Sequence, residues 1–137
     1  METQEMYLNC LCNENMEKAY LERELKMVDG EKKAILRFKL RDLEFTKETD
    51  NFFDTLIEIR KELEPRNIKL LCKGCCKNIA PSRMSIEMGA GVIAYIMELG
   101  KQATEKVSIF DECTINEYAN VDEQLEFVEQ WYESLKR

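Results

Sequence analysis

Six cysteines and no histidine set the limits on the chemistry open to this chain. Without an imidazole it lacks the commonest general base, the Ser-His and Cys-His nucleophile pairs, and the mixed Cys/His zinc sites. Cys10-x-Cys12 together with Cys72-x-x-Cys75-Cys76 supplies enough thiolates for a tetrahedral zinc. Against that, a one-residue spacer is shorter than zinc ligands usually keep, and no second Cys-x-x-Cys supports the first. Lys73 and Lys77 can lower a neighbouring thiol's pKa, but no base stands by to activate it. A thiol is also a compact apolar group. Cys72 and Cys75 flank Lys73-Gly74, where a turn would make them cross-strand neighbours, and packing in a core is the reading we favour.

The carboxylates are weaker signals because there are 27 of them. Asp111-Glu112 follows an expected strand end, a place where catalytic acids sit, yet pairs of this kind arise by chance in so acidic a chain. Gly89-x-Gly91 lacks the third glycine of the dinucleotide fingerprint, and no Gly-Lys-Ser/Thr follows it. A turn or a close backbone approach explains these glycines better. No enzyme activity, cofactor or metal is therefore expected; a small enzyme with carboxylate or thiolate chemistry near residues 82–91, or a zinc-stabilised adaptor, is the alternative.

Charge gives the positive clue. The net charge is -7, and from Glu105 to Arg137 nine acidic residues face three basic ones, a balance of -6 that leaves -1 for everything before it. Between Arg66 and Arg83 the sign reverses, with Lys69, Lys73 and Lys77 and no carboxylate. That run reads first as a solvated face countering the acidic tail within the fold, and second as a contact for an anionic ligand. An acidic chain is poorly suited to nucleic acid, which is held by a basic field, and well suited to docking on a basic protein. No apolar run reaches the roughly 18 residues of a membrane span, and METQEMYLNC lacks the regions of a secretory signal. The expected place is the cytosol, no membrane is expected as a partner, and the thiols are expected to be reduced.

The elements that must position these groups read as follows. Residues 1–17 show no clear period and suggest an arm or short helix. Asp29-Gly30 marks a tight hairpin, after which Ala34, Leu36, Phe38 and Leu40 alternate with charged residues. Ile35 breaks that alternation and predicts cover from a neighbouring segment. Asp50 is placed to cap a helix whose face is Phe52, Phe53, Leu56, Ile57, Ile59 and Leu63, with Pro65 as its stop. Ile68–Cys72 reads as a buried strand that turns back into Cys75–Ala80, and Ser82–Met88 as a loop or one helical turn. For Val92–Met97 strand is preferred over helix, and Val107–Phe110 is a further short strand.

The last element is the plainest helix. Asn120 with Glu123 makes a capping box, and Val121, Leu125, Val128, Tyr132 and Leu135 form its inner stripe. Phe127 and Trp131 widen the stripe enough for a homodimer contact. On the other side Asp122, Glu126, Glu129 and Glu133 fall at offsets of four, seven and eleven, a continuous acidic ridge. The fold class expected is α+β: one domain over residues 1–137, with a mostly antiparallel sheet of five to six strands and two main helices, 50–64 and 120–136, packed on it.

The chain also carries Pro81-Ser82-Arg83-Met84, Met88-Gly89-Ala90-Gly91, Ala94-Tyr95, Leu99-Gly100-Lys101-Gln102-Ala103, Val107-x-Ile109-Phe110-Asp111, and Glu123-Gln124 with Trp131 and Ser134-Leu135. On these residues, spread over about the last 70 positions, it resembles a small bacterial family without an assigned activity. In size and acidity it is similar to the immunity proteins that neutralise contact-dependent and other polymorphic toxins. The resemblance in type implies a protein partner, a basic toxin domain. The contacts expected from the charge pattern are Asp122, Glu126, Glu129 and Glu133, with Asp111 and Glu112 as further acidic contacts.

Overall fold

The computed structural model describes residues 2–136. Its elements are β1 (Glu2–Cys12), β2 (Asn15–Val28), β3 (Glu31–Leu40), β4 (Leu43–Thr49), α1 (Phe52–Leu63), β5 (Ile68–Leu70), β6 (Ile79–Ala80), α2 (Arg83–Gly89), β7 (Ile93–Ile96), β8 (Lys106–Ser108) and α3 (Val121–Ser134). The α+β class and the antiparallel pairing are as expected. The count differs: the described strands form two sheets, one of five in the order β4-β3-β2-β1-β5 and one of three in the order β6-β7-β8.

A four-stranded meander opens the chain, which corrects the arm or helix expected at residues 1–17. In β1, Leu8, Cys10 and Cys12 are buried while Asn9 and Leu11 between them are not, so the period of two is present once cysteine is counted as apolar. The expected hairpin is there: Asp29 and Gly30 both take positive φ, 53° and 82°, and Val28 pairs with Glu31. Ala34, Leu36, Phe38 and Leu40 are buried on the core side. Ile35 points the other way and is only 5% exposed, opposite Glu24 and Glu48 in register. On that outer face Arg37 holds Glu22 at 2.8 Å and Glu24 at 2.9 Å.

Helix α1 lies over β3 and β4 and buries all six apolar residues assigned to its face. Each large side chain contributes about 1.5–3 kcal/mol before entropy is subtracted. Its cap is Asn51, not Asp50: the Asn51 Oδ1 accepts from the Asp54 amide at 2.9 Å, and Asp50 instead accepts from the Asn51 side chain. The capping residue needs extended backbone immediately before the first helical residue, and Asn51 has it, with φ -154° and ψ 155°. The glycines at 89–91 also belong to this end. The Phe52 amide donates to the Ala90 carbonyl at 2.7 Å, and a Cβ on Gly91, where φ is +78°, would sit 3.1 Å from Asn51 Oδ1. This is the close backbone approach that the spacing predicts.

Past Pro65, which sits in a single 3-10 turn (Glu64–Arg66), β5 pairs with β1 and not with β6. Residues Lys73–Cys75 form another 3-10 turn, so the expected return strand from Cys75 shrinks to β6, which pairs with β7. Ser82 caps α2 through the Ser85 amide at 3.0 Å. Strand is the right reading for residues 93–96 and, shifted slightly, for β8. One contiguous core joins the inner face of the large sheet, α1, the small sheet and α3.

Candidate functional site

A buried hydrogen-bond network anchors the last helix under its first turn. Gln124, fully buried, donates from Nε2 to the carbonyls of Gly74 at 2.9 Å and Ile79 at 2.8 Å. Its Oε1 accepts from Arg60 Nη1 on α1, and Arg60 Nη2 reaches the Ala119 carbonyl just before the Asn120 cap. Glu64, one turn on from Arg60, accepts from the Val121 amide at 3.0 Å and from the Tyr118 hydroxyl at 2.8 Å. A buried amide and a buried guanidinium thus tie α3 to α1 and to the 73–75 turn.

Those bonds rotate the helix from its expected seat. Its buried side is Val121, Gln124 and Trp131, with Val128 half-buried between them. Leu125 and Tyr132, assigned to the inner stripe, are 43% and 51% exposed. Trp131, expected at a dimer contact, lies against this chain's own core and donates its indole N–H to the Lys101 carbonyl at 3.0 Å. Phe127 is half-buried, with the Lys77 ammonium 5.9 Å from its ring centre.

The acidic ridge is where the spacing puts it: Asp122, Glu126, Glu129 and Glu133 are all exposed on α3. Glu133 pairs with Lys136 at 3.0 Å and Glu126 accepts from Gln130 at 3.4 Å; among the described residues Asp122 and Glu129 form no ion pair. Three of the four, Glu126, Glu129 and Glu133, rim a wide groove of about 1040 Å³ with Leu99 and Tyr132 among its apolar lining. Asp111 and Glu112 belong to another neighbourhood. Asp111 Oδ2 accepts from the Ser108 amide at 3.2 Å, its carbonyl accepts from the Lys73 amide, and Glu112 accepts from Asn9 on β1. None of these bonds reaches α3, so the two acids close the turn after β8 and do not extend the ridge.

One member of the basic run meets the acidic tail, while Arg66 turns to Glu62 of α1 at 3.8 Å. Lys73 pairs with Glu117 of the acidic tail at 2.7 Å, and the Lys69 and Lys77 ammonium groups lie 5.9 Å from the ring centres of Tyr118 and Phe127. Beside the groove, and sharing Tyr132 with it, is a cleft of about 200 Å³. Its walls come from separate segments and include Pro81, Ser82, Tyr95, Gln102, Ala103 and Trp131. All six fall within short segments singled out in the sequence, but their meeting in space is visible only in the fold. The cleft is beside Ser82, where the enzyme alternative placed its pocket, but among the described residues no carboxylate or thiol side chain lines it.

All six thiols are buried. Cys10 and Cys12 Sγ lie 3.7 Å apart and Cys72 and Cys75 Sγ 3.6 Å apart, and among the described residues no group of three or more Cys, Asp or Glu side chains is arranged to hold a metal ion. All six belong to the buried core. Burial pushes the Cys10 thiol up to about 12, and its hydrogen bond with Cys12 adds to the rise. Cys72 is raised by its hydrogen bond with Cys75 and by burial. Burial raises Cys75 too, but the hydrogen bond from Cys72 and the Arg60 charge draw it below the ordinary thiol value. Cys76 is drawn down by its hydrogen bond with Cys113, against burial.

A depressed pKa makes a nucleophile only where a reagent reaches it, and Cys75 and Cys76 are both 0% exposed. Iodoacetamide is accordingly expected to modify none of the six in the native protein over a period in which denaturant lets it modify all of them, as read by mass. One cysteine reacting quickly in the native state would shift the weight to thiolate chemistry.

No protein-family model matches the chain, and no curated protein matches it in sequence. No helix among the described residues is long and apolar enough to cross a membrane.

Proposed function

We propose that this chain is a non-catalytic binding protein of the immunity type, which neutralises a basic toxin domain by covering its active site. The observation that carries the reading is the groove on α3: three exposed glutamates stand beside Leu99 and Tyr132 at the most acidic end of an acidic chain. Lysines and arginines around a nuclease's substrate cleft are the natural complement of such a rim, because they are already gathered to hold a polyanion. Steering by the -7 net charge speeds the encounter, and the groove's shape then blocks the cleft. The site of action is the cytosol, where an incoming toxin domain is met.

The buried thiols and the acid-free cleft support a role without chemistry of its own. What the groove offers is fixed charge and area, both typical of recognition.

Changing Glu126 and Glu129 together to lysine tests the reading. Each exposed pair contributes about 0.2–1 kcal/mol, and reversal replaces attraction with repulsion at both positions. Affinity for a basic toxin domain that the unchanged chain binds, measured by calorimetry, should fall about tenfold at low salt and lose much of its salt dependence. Unchanged affinity would clear the ridge of any role.

A further inference from the structure

The cleft beside the groove has its own chemistry. At about 200 Å³ it is smaller than the roughly 300–1,000 Å³ of sites that enclose a small-molecule ligand, and it is the size of one large side chain. Trp131 forms a fixed wall, because its indole N–H is held by the Lys101 carbonyl and its ring stands edge-on to Tyr132 with centres 5.0 Å apart. Ala103 leaves the space open. Among its lining residues, the Tyr95 hydroxyl and the exposed Gln102 amide make no hydrogen bond to another described residue, and the Lys106 ammonium lies 5.7 Å from the Tyr95 ring centre. An amide can both donate to a peptide carbonyl and accept from a peptide N–H. No charged side chain among the described residues lines the cleft, yet Tyr132, half exposed, is also a wall of the groove rimmed by Glu126, Glu129 and Glu133.

We propose that the cleft seats one large apolar side chain from a basic segment of a protein partner, while the arginines or lysines flanking that side chain lie on the glutamates of the groove. The proposal rests on the reading of the acidic groove above and adds to it a second determinant. Charge brings the segment to α3, and the apolar side chain fixes its register. A buried anchor ringed by weaker polar contacts is how the energy of an interface is commonly concentrated.

The test uses the wild-type chain and three end-blocked pentapeptides: Arg-Arg-Leu-Arg-Arg, the same peptide with alanine in place of leucine, and Gln-Gln-Leu-Gln-Gln. Trp131 is the only tryptophan, so its indole N–H signal reports on the cleft alone, and the α3 backbone amides report on the groove. The leucine peptide is expected to bind about tenfold more tightly than the alanine peptide. It should move the Trp131 and Gln102 side-chain signals, where the alanine peptide moves only the α3 amides. Ala103→Phe, which fills the cleft, should erase the difference, and Gln102→Ala, at an exposed position, should reduce it without touching the core.

Equal affinity of the two arginine peptides, with Trp131 unmoved by either, would overturn the anchor and leave the acidic groove standing. Equal binding of the glutamine and arginine leucine peptides would overturn the groove's part and with it the preference for a basic segment. No shift with any of the three would overturn both.

Discussion

Arg60→Ala is expected to lower the unfolding free energy by about 3–5 kcal/mol, the cost of breaking a buried charged cluster by removing one partner. Arg60 is 1% exposed, and its guanidinium serves Gln124, the Ala119 carbonyl and, at 3.5 Å, Glu64. The Tyr118 ring centre lies 5.5 Å away. Burial works against the charge, while Cys75, Tyr118 and Glu64 around it work for it, and the balance holds the guanidinium above its ordinary pKa. Alanine would leave the Gln124 oxygen and the Ala119 carbonyl buried without a donor, and a cavity where the stem had been. Arg60→Met should cost less, because it fills that volume and also removes Nε, which has no hydrogen-bond partner among the described residues. Urea unfolding followed by circular dichroism measures both. A loss below about 1 kcal/mol for Arg60→Ala would show that the cluster contributes little beyond its own desolvation.

That cluster is also the part of the fold least visible in the sequence. The hairpin at Asp29-Gly30, the face of α1 and the Asn120 capping box are local: each depends on residues a few positions apart, and spacing reveals them. Gln124 lies 64 residues from Arg60 and 50 from Gly74, so nothing in the helix's own pattern marks it as buried. Because it takes an inner position, Leu125 and Tyr132 turn outward, and the inner stripe read from hydrophobicity alone is off by part of a turn. Strands β5 to β8 span two to four residues, too few for a period to show. In β1 the alternation was present but was carried by Cys10 and Cys12, residues that draw attention as chemistry before they are read as packing.

The candidate site divides the same way. Asp122, Glu126, Glu129 and Glu133 share one helix, so their common face follows from helical geometry. The cleft takes its walls from residues near 81, 95, 102 and 131, and only the assembled small sheet and α3 bring these together. Asp111 and Glu112 show the converse: acidic and near the tail in sequence, they are drawn away by Asn9 and the 73–75 turn.

Gly74→Val is expected to destabilise the protein by about 3 kcal/mol, the upper part of the range for overpacking a core, and Gly74→Ala by about 1–2 kcal/mol. The demand for glycine at this position is one of space. A Cβ there would lie 2.6 Å from Leu56 Cδ2 and 3.0 Å from Ile109 Cβ, and Gly74 is not among the glycines with positive φ. The backbone is pinned from both sides, since the Gly74 amide donates to the Ile109 carbonyl at 2.8 Å and its carbonyl accepts from Gln124. Leu56 and Ile109 are both fully buried, so neither can swing into solvent to make room. Leu56→Ala should relieve the clash: the double variant with Gly74→Ala is expected to lose clearly less stability than the two single losses added together, and strict additivity would show that the contact is not the cause. Because the Gly74 carbonyl is one of the points from which α3 hangs, any shift of the 73–75 turn passes to Trp131 and the groove. Gly74→Ala should therefore change the fluorescence of the single tryptophan, while Glu126→Lys and Glu129→Lys, on the exposed side of the same helix, should leave it unchanged.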